Sequence, residues 1–101
     1  MPPYLDASVL ISRLEAAQRV IAMARLGRKP TRDAARQTLD MIDLAENQLK
    51  RHSGSGVFDL SAARAAAAVL ALDHLPNEAT CIGAVRVLGW TISQLRENDP
   101  A

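Results

Sequence analysis

Apolar side chains recur along this chain at alternating steps of four and three residues, the spacing that lines them up on one side of a helix. Leu10, Leu14, Ala17, Ile21 and Ala24 form the first such stripe, widened by Ile11, Val20 and Met23. Ser12, Glu15, Gln18, Arg19 and Arg25 are left to face solvent. Asp6 precedes the stripe as an N-cap whose carboxylate can accept from the N–H of Ser8 or Val9, and Leu5 and Leu10 are spaced as a hydrophobic staple. With Gly27 and Pro30 as stop signals, a helix is predicted over about 7–26.

The second stripe is Ala35, Leu39, Ile42, Ala45 and Leu49, flanked by Met41 and Leu44. It predicts a helix over about 32–51 with Thr31 as its cap. Arg36 with Asp40, and Glu46 with Lys50, are four-residue charge pairs, so Asp40, Asp43 and Glu46 read as a solvated acidic face. His-Ser-Gly-Ser-Gly at 52–56 then ends the helix and supplies a hinge.

The stretch 60–75, LSAARAAAAVLALDHL, has only Ser61, Arg64, Asp73 and His74 as polar residues. No broad charged face is available, so it reads as a buried, central, alanine-rich helix that packs against the others. Asp59 or Ser61 can cap it, Phe58 tucks beneath its start, and Pro76 ends it. A fourth helix over about 78–97 follows Asn77 as cap, with Cys81, Val85, Leu88, Ile92 and Leu95 as its stripe. The tail Asn-Asp-Pro-Ala is expected to fray.

Four apolar stripes joined by short polar connections define an all-α fold, a compact four-helix bundle forming a single helical domain over 1–101, antiparallel where the connections are short. No stretch alternates with period two. A coiled-coil dimer of long hairpins has the same stepping, but the breaks at Gly27–Pro30, Gly54–Gly56 and Pro76 leave segments too short for it.

At 101 residues the chain is long enough to bury a core without covalent staples. Its single cysteine, Cys81, excludes an intrachain disulfide and a cysteine-rich metal cage. MPPYLDASVL has neither a basic segment nor a long apolar run, so no secretory signal or membrane span is expected and cytoplasmic residence is the default. Net charge is +1, with no global field for a polyanion or a membrane surface. The charge is unevenly spread: residues 1–52 hold nine basic and six acidic side chains, residues 53–101 three and five. Arginine outnumbers lysine ten to two, compatible with a high-GC bacterial or phage coding sequence.

No catalytic constellation is present in the sequence. His52 and His74 stand at a loop edge and a helix end without ligand spacing, the carboxylates of the second helix lack the Glu-x-x-His partners of a di-metal bundle, and no cofactor motif occurs. His74 is placed to meet the last carbonyls of its helix. Cys81 falls in the first turn of its helix, where the dipole can activate a thiol, but it also lies on the apolar stripe, which favours a core role. A histidine phosphotransfer bundle needs a solvent-facing histidine in mid-helix, and a helix-turn-helix reader needs a polar recognition helix. Neither fits.

Two functional candidates remain. Arg86, Val87, Trp90 and Gln94 fall along one edge of the fourth helix, and an indole beside an arginine is the kind of group that anchors interfaces. Gly83 and Gly89 in the same helix suggest close approach by another backbone. Arg25, Arg28, Lys29 and Arg32 cluster at the first connection and suit phosphate or carboxylate. The resulting expectation is a non-catalytic module that binds another protein, as a regulator, adaptor or inhibitor, with a homodimer as a further candidate. The alternative is a nucleic-acid-associated protein using the basic cluster over 25–36.

Overall fold

The computed structural model describes residues 6–53 and 57–97, and the described residues form four helices and no strand. These are α1 (Ala7–Arg25), α2 (Arg32–Ser53), α3 (Ser61–Ala71) and α4 (Glu78–Glu97). The Leu5 half of the expected staple, the 54–56 hinge and the tail from 98 lie outside the described residues.

Three of the four helices start where a side chain can take up a free N–H group. Asp6 Oδ1 accepts from the Val9 N–H at 3.3 Å, Thr31 Oγ1 from Ala34 at 3.1 Å, and Asn77 Oδ1 from Thr80 at 2.8 Å. α3 departs from this rule. Its cap position is Leu60, which has no capping side chain, and the Leu60 N–H donates instead to Glu46 Oε2 of α2 at 3.0 Å. Asp59 contributes only a local turn, accepting from the Ser61 N–H at 2.9 Å.

Two helices end in the same way. After α1, Gly27 takes φ +86°, its N–H donates to the Ala24 carbonyl and the Arg28 N–H to that of Met23. After α3, Asp73 takes φ +66°, its N–H donates to Leu70 and the His74 N–H to Val69. Both are Schellman closures, with the left-handed residue glycine in one and aspartate in the other. The second corrects the expected end at 75. α3 stops at Ala71 because Asp73 closes it before Pro76 can, and it is the backbone N–H of His74 that meets the helix carbonyls. α2 errs the other way, continuing past Arg51 to Ser53.

α1 packs on α2 and α4, and α3 packs on α2 and α4, so the helices form a ring in chain order with α1 and α3 at opposite corners. Ion pairs fix the direction of the closing seam. Arg25 at the end of α1 pairs with Glu78 at the start of α4 at 3.3 Å, and Glu15 pairs with Arg96 near the end of α4 at 2.8 Å. α1 and α4 therefore run antiparallel. The bundle measures 42 × 23 × 21 Å.

The core of α1 is Leu10, Leu14, Ala17, Ile21 and Ala24, matching its stripe residue for residue. In α2, Thr38 and Glu46 are buried, whereas Leu39 packs at the edge of the core. In α4, Ala84 and Thr91 are buried and Val85 stands at the rim. The two buried hydroxyls are satisfied by the carbonyl one turn back, Thr38 to Ala34 and Thr91 to Val87, each at 2.8 Å. α3 buries Ala63, Ala66, Ala67 and Leu70, while Ala62 and Ala65 face solvent, so it is not enclosed on every side. A helix at a corner of the ring has two neighbours, and an exposed methyl costs little.

Candidate interaction surface

α4 presents two different sides. Toward α1, Gln18 Nε2 donates to the Val85 carbonyl at 3.0 Å, and a Cβ placed on Gly89 would lie 3.2 Å from that same nitrogen. Gln18 thus crosses the seam instead of facing solvent, and the close neighbour of Gly89 is its side chain and not a second backbone. Gly83 differs, because a Cβ placed there would meet nothing within 4 Å.

The other edge of α4 carries the residues expected to bind a partner. Arg86 is exposed, Val87 and Gln94 are half-buried, and Val87 packs against the core. Trp90 is 50 % exposed. Its ring lies 5.8 Å from that of Phe58 at an interplanar angle of 52°, a tilted aromatic contact. Phe58 is itself buried below it, and Val57 next to it is exposed. Trp90 is therefore fixed from one side by a core aromatic and open on the other. Phe58 joins the candidate site from the α2–α3 connection, where nothing in its own spacing marks it as a neighbour of α4.

The basic cluster is divided among several partners. Arg25 pairs with Glu78, and Lys29 reaches the next connection, where Nζ donates to the Asp73 carbonyl at 2.9 Å and lies 3.3 Å from its carboxylate. Arg28 and Arg32 are exposed. Leu26 and Leu72, both more than 70 % exposed, stand at the same end of the bundle. That end is a mixed surface and not a continuous cationic one.

A third cluster was not legible as a site. Glu46 is 3 % exposed and belongs to the α2–α3 seam, not to a solvated face. One carboxylate oxygen takes the Leu60 N–H, and the other is in ion-pair contact with the guanidinium of Arg64, with Lys50 Nζ at 3.9 Å. Arg64 Nε also lies 3.0 Å from Asp43 Oδ1, without the alignment of a hydrogen bond. The signal was present in the spacing, since Glu46 stands four residues after Ile42 and three before Leu49. A charge at that register sits on the stripe, and Arg64 is the one charged residue within α3. Of the expected four-residue pairs, Glu46–Lys50 forms at the seam, while Arg36–Asp40 is not among the ion pairs of the described residues.

Cys81 is a buried core residue whose Sγ lies 3.9 Å from the Pro76 carbonyl, and burial pushes its thiol pKa up. Its position in the first turn does not activate it. The Asp59 carboxyl moves down from its ordinary 3.8 because the Ser61 side chain and N–H both hydrogen-bond its charged form. A groove of about 320 Å³ between α1 and α4 is lined by Ser8, Ile11, Ser12, Glu15, Arg19 and Arg96, and the Glu15–Arg96 pair spans it. Among the described residues, no three His, Cys, Asp or Glu side chains converge for a metal ion, and no helix is long and apolar enough to cross a membrane.

No protein-family model, curated protein or solved structure matches this chain.

Proposed function

We propose that this protein is a non-catalytic helical module that binds another protein through the surface centred on Trp90. The observation that carries the reading is the state of that indole. A tryptophan half open to solvent, yet held in place by Phe58, loses little side-chain freedom when a partner covers it. On the same edge of α4, Val87 adds apolar area, while Arg86 and Gln94 supply a polar rim, the usual anatomy of a contact patch. The basic end supports the nucleic-acid alternative less well. Two of its four cations are engaged by acids of the same chain, and two exposed leucines interrupt it.

The test is affinity capture with the native chain, Trp90→Ala and an Arg28/Arg32→Ala double variant, after helical content has been checked in each. A protein retained by the native chain and the arginine variant but lost with Trp90→Ala supports the module. Nuclease-sensitive material lost only with the arginine variant replaces it with the nucleic-acid reading.

A further inference from the structure

Eight large apolar side chains are exposed among the described residues, and four of them, Met23, Leu26, Leu72 and Leu75, gather at one end of the bundle. Apolar groups clustered in this way mark a contact surface, as scattered ones do not. Leu26 and Leu72 hold the same place in their helices, the C-cap just before the left-handed residue that closes each Schellman turn. Both project, at 73 % and 72 % exposed. The segments that carry them are tied to each other by Lys29 on Asp73 and to the start of α4 by Arg25 on Glu78, so the leucines stand on a braced platform. Little backbone freedom is lost when something covers them.

We infer that this end of the bundle lies on an anionic lipid bilayer. Leu26, Leu72 and Leu75 enter the boundary between headgroups and acyl chains, and Arg28 and Arg32 fork onto lipid phosphates. Shape favours a bilayer over a folded partner, because projecting loop tips need a matching pocket each in a rigid protein, whereas a fluid apolar layer closes around them wherever they stand. Charge favours an anionic one. Arg28 and Arg32 are exposed and take part in no ion pair of the described residues, while two of the three acids at this end, Asp73 and Glu78, are held by Lys29 and Arg25. Only Asp33, on the first turn of α2, is left against the two guanidiniums. The small net charge of the whole chain, +1, does not oppose the contact, since exposed charges more than about 10 Å away are screened at 0.1 M salt. Nucleic acid would use the arginines and ignore the leucines, but a bilayer uses both. Trp90 is twelve residues along α4 from Glu78, about 18 Å from this end, so the two surfaces are separate.

Vesicle flotation of the full chain tests it, with phosphatidylcholine alone and with phosphatidylglycerol added, alongside Leu26/Leu72→Ser, Arg28/Arg32→Ala and Trp90→Ala, each checked for helical content. The native chain is expected to float with the mixed vesicles but not with phosphatidylcholine alone, and to lose most of that binding between about 0.1 M and 1 M salt. The arginine variant is expected to partition roughly tenfold less, for two cations removed from the anionic surface. A similar loss, about tenfold, is expected of the leucine variant, whose side chains no longer leave water. Trp90→Ala floats as the native chain does. Geometry is read separately in a Cys81→Ala background, where an environment-sensitive dye on Leu72→Cys shifts to shorter wavelength with the mixed vesicles and one on Gln48→Cys, far along α2, does not. No flotation with the mixed vesicles, or flotation unaffected by either double variant, overturns the inference. So does a chain that does not float but captures an acidic protein through its leucines, which makes this end a protein contact and leaves the Trp90 surface to its own test.

Discussion

The Glu46 carboxylate, almost wholly buried on α2, is held by the Arg64 guanidinium of α3 and by the Leu60 N–H at the start of that helix. One side chain thus takes the N–H of the residue that precedes α3 and pairs with the one charged residue within that helix. A buried carboxylate left without its cation retains the desolvation cost and loses the attraction that offset it. Arg64→Ala leaves Glu46 only the more distant Lys50 at 3.9 Å and the Leu60 N–H, so it is expected to lower unfolding free energy by about 2 kcal/mol in urea titrations, short of the loss for a buried charge with no partner. Asp43→Ala removes only the half-exposed member of the cluster and is expected to cost less than about 1 kcal/mol. Equal losses from the two would sink this account.

The two interior glycines of α4 should respond oppositely to alanine. At Gly83 the methyl enters open space and gains helix propensity, so Gly83→Ala stabilises by about 1 kcal/mol. At Gly89 the methyl meets Gln18 Nε2 at 3.2 Å and displaces the hydrogen bond to the Val85 carbonyl, cancelling most of that gain. Thermal unfolding of the two single variants against the native chain measures both.

The Cys81 thiol has its pKa raised by burial above the ordinary 9.0, so the folded protein holds this proton to higher pH than the unfolded chain does. Its contribution to stability is complete below that ordinary value and is lost as pH rises through the folded one. Stability is expected to fall more steeply in alkali for the native chain than for Cys81→Ala. In parallel, labelling by a thiol reagent at neutral pH should be slow until denaturant opens the bundle.

Asp73 closes α3 in a left-handed conformation that costs a side chain with a Cβ about 1 kcal/mol, and Lys29 holds both its carbonyl and its carboxylate. Asp73→Gly removes the backbone cost along with an exposed ion pair worth about as much, so it is expected to be nearly neutral. Asp73→Val, which keeps the strain without the pair, should cost about 2 kcal/mol or more in chemical denaturation.

Helix existence was legible because the apolar spacing is regular, and α1 shows this best: every residue of its stripe is buried. What the spacing does not encode is where one helix meets another. α3 reads as running to Pro76 because proline is a visible stop, whereas an aspartate adopting positive φ carries no mark of doing so. Its alanines read as wholly buried because they are apolar, but a methyl tolerates either environment, and position in the ring decides. Glu46 reads as solvated from its charge, whereas its register on the α2 stripe sets it in the α2–α3 seam. For the candidate surface, period alone set Trp90 on an edge of α4. That it is half-open was decided by Phe58, thirty-two residues earlier in a connection whose approach to α4 is a property of the assembled ring.

The seam between α1 and α4 also governs when the molecule can become itself. Its ties, Gln18 to Val85 and Glu15 to Arg96, join residues 67 and 81 positions apart. A nascent chain can pair α1 with α2, and α2 with α3, as each emerges from the ribosome. The flank of α1 that packs on α4 stays uncovered until that helix is released. Synthesis halted before Glu78 therefore leaves a three-helix intermediate with an open apolar trough, a substrate for chaperones and proteases.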